Sequence, residues 1–173
     1  MKIYFATHST TKDNEQKIAS GWKDAELSEV GIQQAKKVGE TFKNIQIDLV
    51  CCSDLKRAVD TVKIAFGDKI PTIIDKRLRE LNYGDFNGKP SEIVEPMKKE
   101  HIKKPFPNGE SYEQAVRRVH YFFRELKEKY PEKTVLVVGH RATQYGLDTL
   151  CGKTIEECLN TSFKWRPYWE YEI

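Results

Sequence analysis

One histidine ends an apolar run in "IYFATHSTTKDN" (3–14), and another, His140, ends the run in "TVLVVGHRA" (134–142). Arg57, Glu80 and Arg141 also follow short apolar runs, and the turn after His8 adds hydroxyl and amide donors in Ser9, Thr11 and Asn14. An unprotonated ring nitrogen can attack phosphorus and hold the phosphoryl group, which splits one hard displacement into two. The transferred group spreads negative charge over its oxygens, so the site needs guanidinium forks, a second histidine or helix N-termini around it. A carboxyl group must protonate the leaving oxygen and afterwards accept a proton from water. The set supplies each part: His8 to attack, Arg57, His140, Arg141 and Asn14 with the donors Ser9 and Thr11 to hold the phosphoryl oxygens, and Glu80 to carry the proton.

Such residues meet only if the chain brings strand ends together. Apolar runs alternate with amphipathic stretches, the pattern of βα repeats. Strands are expected at 2–6, 47–52, 72–75 and 134–139, continuous and β-rich as strands covered on both faces should be, with an aromatic edge strand at 168–173. Between them the period of 3.6 predicts four helices. Ser28 caps the first, which buries Ile32, Ala35, Val38 and Phe42; Ser53 or Asp54 caps the second, with Leu55, Val59, Val62 and Phe66. The third starts near Glu110 or Ser111, buries Ala115, Val119, Phe122 and Leu126, and stops before Pro131; the fourth runs from Arg141 to Leu150. Right-handed connections place the loops after each strand on one sheet edge, where open α/β folds bind ligands. Arg79 falls on that edge too. The Gly-, Pro- and Lys-rich stretch 84–109 leaves the sheet and is expected to act as a lid on a single domain spanning 1–173.

Composition narrows the partners. Apolar residues make up 39% of 173, enough for a core, and 29 basic against 26 acidic residues leave a net charge of only +3, too mild to argue for nucleic acid. No apolar run reaches membrane-spanning length and no signal peptide is read at the start, so a cytoplasmic protein is expected. Cys51, Cys52, Cys151 and Cys158 form no C-x-x-C pair and read as small buried hydrophobes; no metal and no cofactor is expected. His101 and His120 lack partner motifs and read as surface residues. The basic run "MKKEHIKK" (97–104) is either a solvated face or part of the lid, and Trp165 or Trp169, if exposed, would suit a homodimer interface.

The ordered motifs "THSTTKDN", "GWKDAELSEVGIQQA", "SDLKRAVDT", "LRELNYGDFNGKP", "PNGESYEQAVRRV" and "VLVVGHRA" resemble those of the histidine phosphatase superfamily over nearly the whole chain. The resemblance implies a phosphoglycerate-mutase-like, three-layer α/β/α sandwich with a mostly parallel sheet. It also implies a phosphorylated His8, Arg57 and His140 in the phosphate pocket, and Glu80 as proton donor. Two positions depart from the family pattern. Where the family has Arg-His-Gly, this chain has Thr7, His8 and Ser9, and the small residue usual after the second histidine is Arg141. Arg141 is expected to return the guanidinium that position 7 lacks, since a cation in the first turn of a helix is favoured only with an anion nearby.

The expected activity is a metal-independent phosphomonoesterase acting on a small phosphorylated metabolite or a phosphoprotein. A phosphoglycerate mutase is the alternative within the family, and a non-catalytic module binding phosphorylated ligands is the alternative outside it. Glu110 and Glu15 are the rivals of Glu80 for the proton.

Overall fold

The computed structural model describes residues 1–173. The elements run β1 (Lys2–Thr7), α1 (Lys12–Glu15), β2 (Ile18–Ala19), α2 (Glu29–Thr41), β3 (Leu49–Cys52), α3 (Lys56–Phe66), β4 (Thr72–Ile74) and β5 (Lys89–Pro90). They continue through α4 (Ser91–Val94), α5 (Tyr112–Lys129), β6 (Val135–Gly139), α6 (Arg141–Leu150), α7 (Ile155–Asn160) and β7 (Trp169–Glu172). Five strands form the central sheet in the order β4-β3-β6-β1-β7; all its pairs are parallel except β1 with β7. All five strands expected from the apolar runs are present.

Alternation along the strands divides the core into two faces. Ile3 and Phe5 of β1, with Val135 and Val137 of β6, face Val119, Phe122, Phe123 and Leu126 of α5 and Leu147 of α6. Tyr4, Ala6, Leu136 and Val138 face the other way, onto Val38 and Phe42 and onto Ala58, Val62 and Phe66 of α3. This is the α/β/α sandwich. Each fully buried Phe or Leu contributes roughly 1.5–3 kcal/mol, so these two faces hold the strand ends in register.

Caps decide where the helices begin. Ser28 accepts from the Gly31 amide at the start of α2, and Ser111 forms a capping box with Gln114 at the start of α5. The second helix corrects the expectation. Its N-cap is Leu55, with no side-chain bond from its own turn, because Ser53 and Asp54 are engaged elsewhere. Asp24 reaches over from another loop to accept from the Lys56 amide at 2.9 Å, so the orphan donor is satisfied at long range.

The 84–109 stretch holds β5, which pairs with β2, then α4 and a 3-10 turn at Glu95–Met97. It packs through Val94 and Phe106, next to Tyr83, against Tyr112, Ala142 and Tyr145. His101 is buried, not surface: it stacks on Phe106 with ring centroids 3.9 Å apart, and its Nδ1 donates to the Lys104 carbonyl. His120 is likewise held between helices, its Nε2 within 2.8 Å of Thr149 Oγ1. Cys51, Cys52 and Cys158 are buried as expected, whereas Cys151 is exposed. No helix is long and apolar enough to cross a membrane.

Candidate active site

β1 and β6 lie side by side, with Thr7 opposite Gly139, so their C-terminal ends deliver His8 and His140 together. The His8 amide donates to Gly139 O at 2.8 Å, and the two rings lie 5.0 Å apart between centroids. Three hydrogen bonds, from two helices, fix the turn after His8. Ser9 N donates to Thr61 Oγ1 of α3, Thr10 N donates to Gln34 Oε1 of α2, and Thr10 O accepts from the Ser28 amide. α2 reaches the turn because position 31 is glycine: a Cβ there would stand 1.9 Å from Thr10 O.

His8 Nδ1 lies 2.8 Å from the Ser9 carbonyl oxygen. A carbonyl can only accept, so Nδ1 carries the proton and Nε2 keeps its lone pair. Burial, and then the charge of Arg57, lower the His8 pKa to about 3 against a weaker opposing effect of the Ser9 carbonyl. The ring therefore stays neutral at physiological pH. His140 is fully buried, its Nε2 2.6 Å from Ser53 Oγ, and burial together with Arg57 and His8 holds it well below the usual histidine range. That contact explains why Ser53 does not cap α3.

Arg57, on the first turn of α3, is 2% exposed and donates to Gly21 O at 2.7 Å and Lys23 O at 2.9 Å. Both partners are neutral carbonyls, so its charge meets no bonded carboxylate. Glu80 sits at the start of α6. Its Oε1 accepts from the Leu81 and Ala142 amides at 2.9 and 3.0 Å, and Oε2 accepts only from the Arg141 amide, at 3.3 Å. Oε2 is thus the less committed oxygen.

A cavity of about 520 Å³ opens over these groups, lined by Thr7, His8, Thr10, Asn14, Glu80, His140, Arg141 and Tyr145. A narrower chamber of about 160 Å³ shares His8, Asn14, Glu80 and Arg141 with it and adds Arg57. The strand-end residues His8, Arg57, Glu80, His140, Arg141 and Asn14 therefore converge. Ser9 and Thr11 do not line either space. Thr11 is fully buried as the N-cap of α1, bonded to Asn14, and Ser9 is 1% exposed beneath the turn, so neither hydroxyl is presented to a ligand. Arg79 also leaves the edge: it forks onto Asp54 at 2.6–2.7 Å and stacks over Trp22.

Arg141 lines both spaces, but its guanidinium points along the outer wall. It donates to Gln144 Oε1 at 2.6 Å and to Thr161 O at 3.1 Å, between the rings of Tyr145 and Phe163. The wall itself, Leu159 to Phe163 with Trp165, and the pair Lys98 and Glu95 from the 84–109 stretch were not singled out from sequence as lining residues. Lys98 sits in the basic run 97–104, whose composition hides which lysine turns inward.

The chain also matches known proteins. The sequence profile of the histidine phosphatase superfamily (branch 1) matches residues 3–161. A protein of Bacillus subtilis named uncharacterized phosphatase PhoE is 32% identical over 85% of this chain and 75% of its own. The 2,3-bisphosphoglycerate-dependent phosphoglycerate mutase of Methylobacterium is 32% identical over 88% of this chain and 83% of its own. The structure of Bacillus stearothermophilus YhfR superposes with a TM-score of 0.88 at 24% identity, covering 99% of this chain and 91% of that one. With two histidines, a buried arginine and a glutamate gathered at one sheet edge and the profile matched almost end to end, the chain belongs to the histidine phosphatase superfamily, branch 1.

Proposed function

We propose that this chain hydrolyses phosphomonoesters through a phosphohistidine on His8, without a metal ion, and that Glu80 carries the proton in both halves. The observation that supports it most is the His8 tautomer: with Nδ1–H committed to Ser9 O, the Nε2 lone pair is free inside the cavity. Nε2 attacks phosphorus, the ester P–O bond breaks, and the Glu80 carboxyl proton passes to the leaving alkoxide. Water then attacks the phosphorus, its proton goes to the Glu80 carboxylate, the P–N bond breaks, and inorganic phosphate leaves with His8 neutral again. Arg57, His140 and Asn14 hold the phosphoryl oxygens as charge redistributes. In this reading Arg141 leaves Thr161 O to add a second guanidinium on the phosphoryl group, in place of the arginine that Thr7 does not provide.

The substrate is a small phosphorylated metabolite, with the 84–109 stretch acting as a lid that shapes the leaving-group space through Lys98 and Glu95. A mutase is the second reading, on the strength of the Methylobacterium relative. Radiolabelled phosphomonoester, quenched by denaturation at alkaline pH where a P–N bond survives, should leave label on the native protein and none on His8→Ala. Absence of label on the native chain overturns the covalent mechanism. Release of free phosphate without a bisphosphate primer, unaffected by chelator, identifies the hydrolase; dependence on the primer identifies the mutase.

A further inference from the structure

The segment that carries Glu80 has no regular secondary structure after Leu78, yet every one of its carbonyls from 77 to 80 is taken by a side chain from elsewhere in the fold. Arg118, on α5, donates through Nη1 to Arg77 O at 2.7 Å and Arg79 O at 2.8 Å, and through Nη2 to Glu80 O at 2.9 Å. Thr143 donates to Leu78 O at 2.8 Å, and Trp22 Nε1 donates to Glu80 O at 2.7 Å. The same Arg118 guanidinium meets Glu110 at 2.6 and 3.1 Å, and Glu110 Oε1 in turn accepts from the Asn82 amide at 3.0 Å. Arg118 and Glu110 thus grip the chain on both sides of Glu80. Both are largely buried, with side chains 17% and 15% exposed.

We propose that Arg118, held by Glu110, is a positioning residue for the proton transfer: it sets the place of the Glu80 carboxyl without touching the substrate. This rests on Glu80 being the acid. The alternative role for Glu110, as a rival proton donor, does not fit its geometry, since both its oxygens are bonded to Arg118 and it lines neither cavity. A guanidinium is needed because a planar fork can serve three carbonyls and a carboxylate at once; an ammonium cannot. Displacing a reacting group by about 1 Å can cost roughly a hundredfold.

The test separates positioning from mere folding through the leaving group. Protonation matters for alkyl phosphates and little for activated aryl phosphates such as p-nitrophenyl phosphate. Arg118→Lys and Glu110→Gln should lower kcat/KM for an alkyl phosphate at least tenfold more than for the aryl ester, while His8 is still labelled by the aryl ester. Trp22→Phe, which removes one donor to Glu80 O and leaves α5 intact, should shift the same ratio in the same direction and covers the case in which the Arg118 variant does not fold. Equal losses on both esters, or no loss, overturn the positioning role. If Glu80→Gln itself loses both esters equally, then Glu80 is not the acid and the inference falls with that reading; if Glu80→Gln shows the split and the Arg118, Glu110 and Trp22 variants do not, only the positioning role falls.

Discussion

At the scale of single residues, neutrality of the two histidines is the property on which the proposed chemistry turns. Their lowered pKa values also make a statement about stability. An unfolded histidine binds a proton below about 6.5, whereas folded His8 does so only near 3, so the unfolded state gains protons first as pH falls. Stability should therefore decline between about pH 6.5 and 3, and His8→Ala should flatten that decline; thermal melts of the two proteins from pH 7 to 4 measure it. Arg141 and Arg57 make a second comparison. Should the Arg141 guanidinium reach the phosphoryl group, Arg141→Ala will weaken binding of inorganic phosphate about tenfold, as expected for a charge-assisted bond, and comparably to Arg57→Ala. Unchanged phosphate affinity in Arg141→Ala would leave Arg141 as a tie to the outer wall. His8, Arg57, Glu80 and His140 were legible because each follows an apolar run that can only be a buried strand or its flank. The uses of Ser9, Thr11 and His101 were not, because a hydroxyl or an imidazole looks the same in sequence whether it faces a ligand, caps a helix or stacks on a buried ring.

At the scale of elements, boundaries marked by local chemistry were readable and those set by distant contacts were not. Ser28 caps the helix that follows it, as expected, and of the two expected starts of α5, Glu110 or Ser111, Ser111 is the cap. The start of α3 was misplaced because Ser53 serves His140, Asp54 serves Arg79 and the cap comes from Asp24, some thirty residues away by sequence count. The capping box of α5 gives a further prediction. Ser111→Ala should cost about 1 kcal/mol and lower the melting temperature by roughly 2–4 °C, with the aryl-to-alkyl activity ratio unchanged as long as Arg118 keeps its bonds. A shifted ratio would show that the first turn of α5 reaches Glu80 as well.

At the scale of the whole molecule, a mostly parallel sheet was implicit in the βα pattern, and the gathering of the candidate residues at one edge followed from the handedness of the connections; the strand order, with β6 inserted between β1 and β3, was not, because the pattern does not say which strands become neighbours. The outer wall was invisible, since nothing in "NTSFKW" (160–165) announces that it will close over His8. That wall is strung between α7 and β7, and β7 is laced antiparallel along Lys2–Phe5 of β1, the strand that ends at His8. Synthesis therefore produces the molecule in a telling order. When residue 150 has just been added, His8, Arg57, Glu80 and His140, the residues of the proposed mechanism, have all been made, but one edge of β1 is still open and the cavity has no outer side. Only when Trp169 settles beside Phe5 do these residues acquire the wall that encloses them.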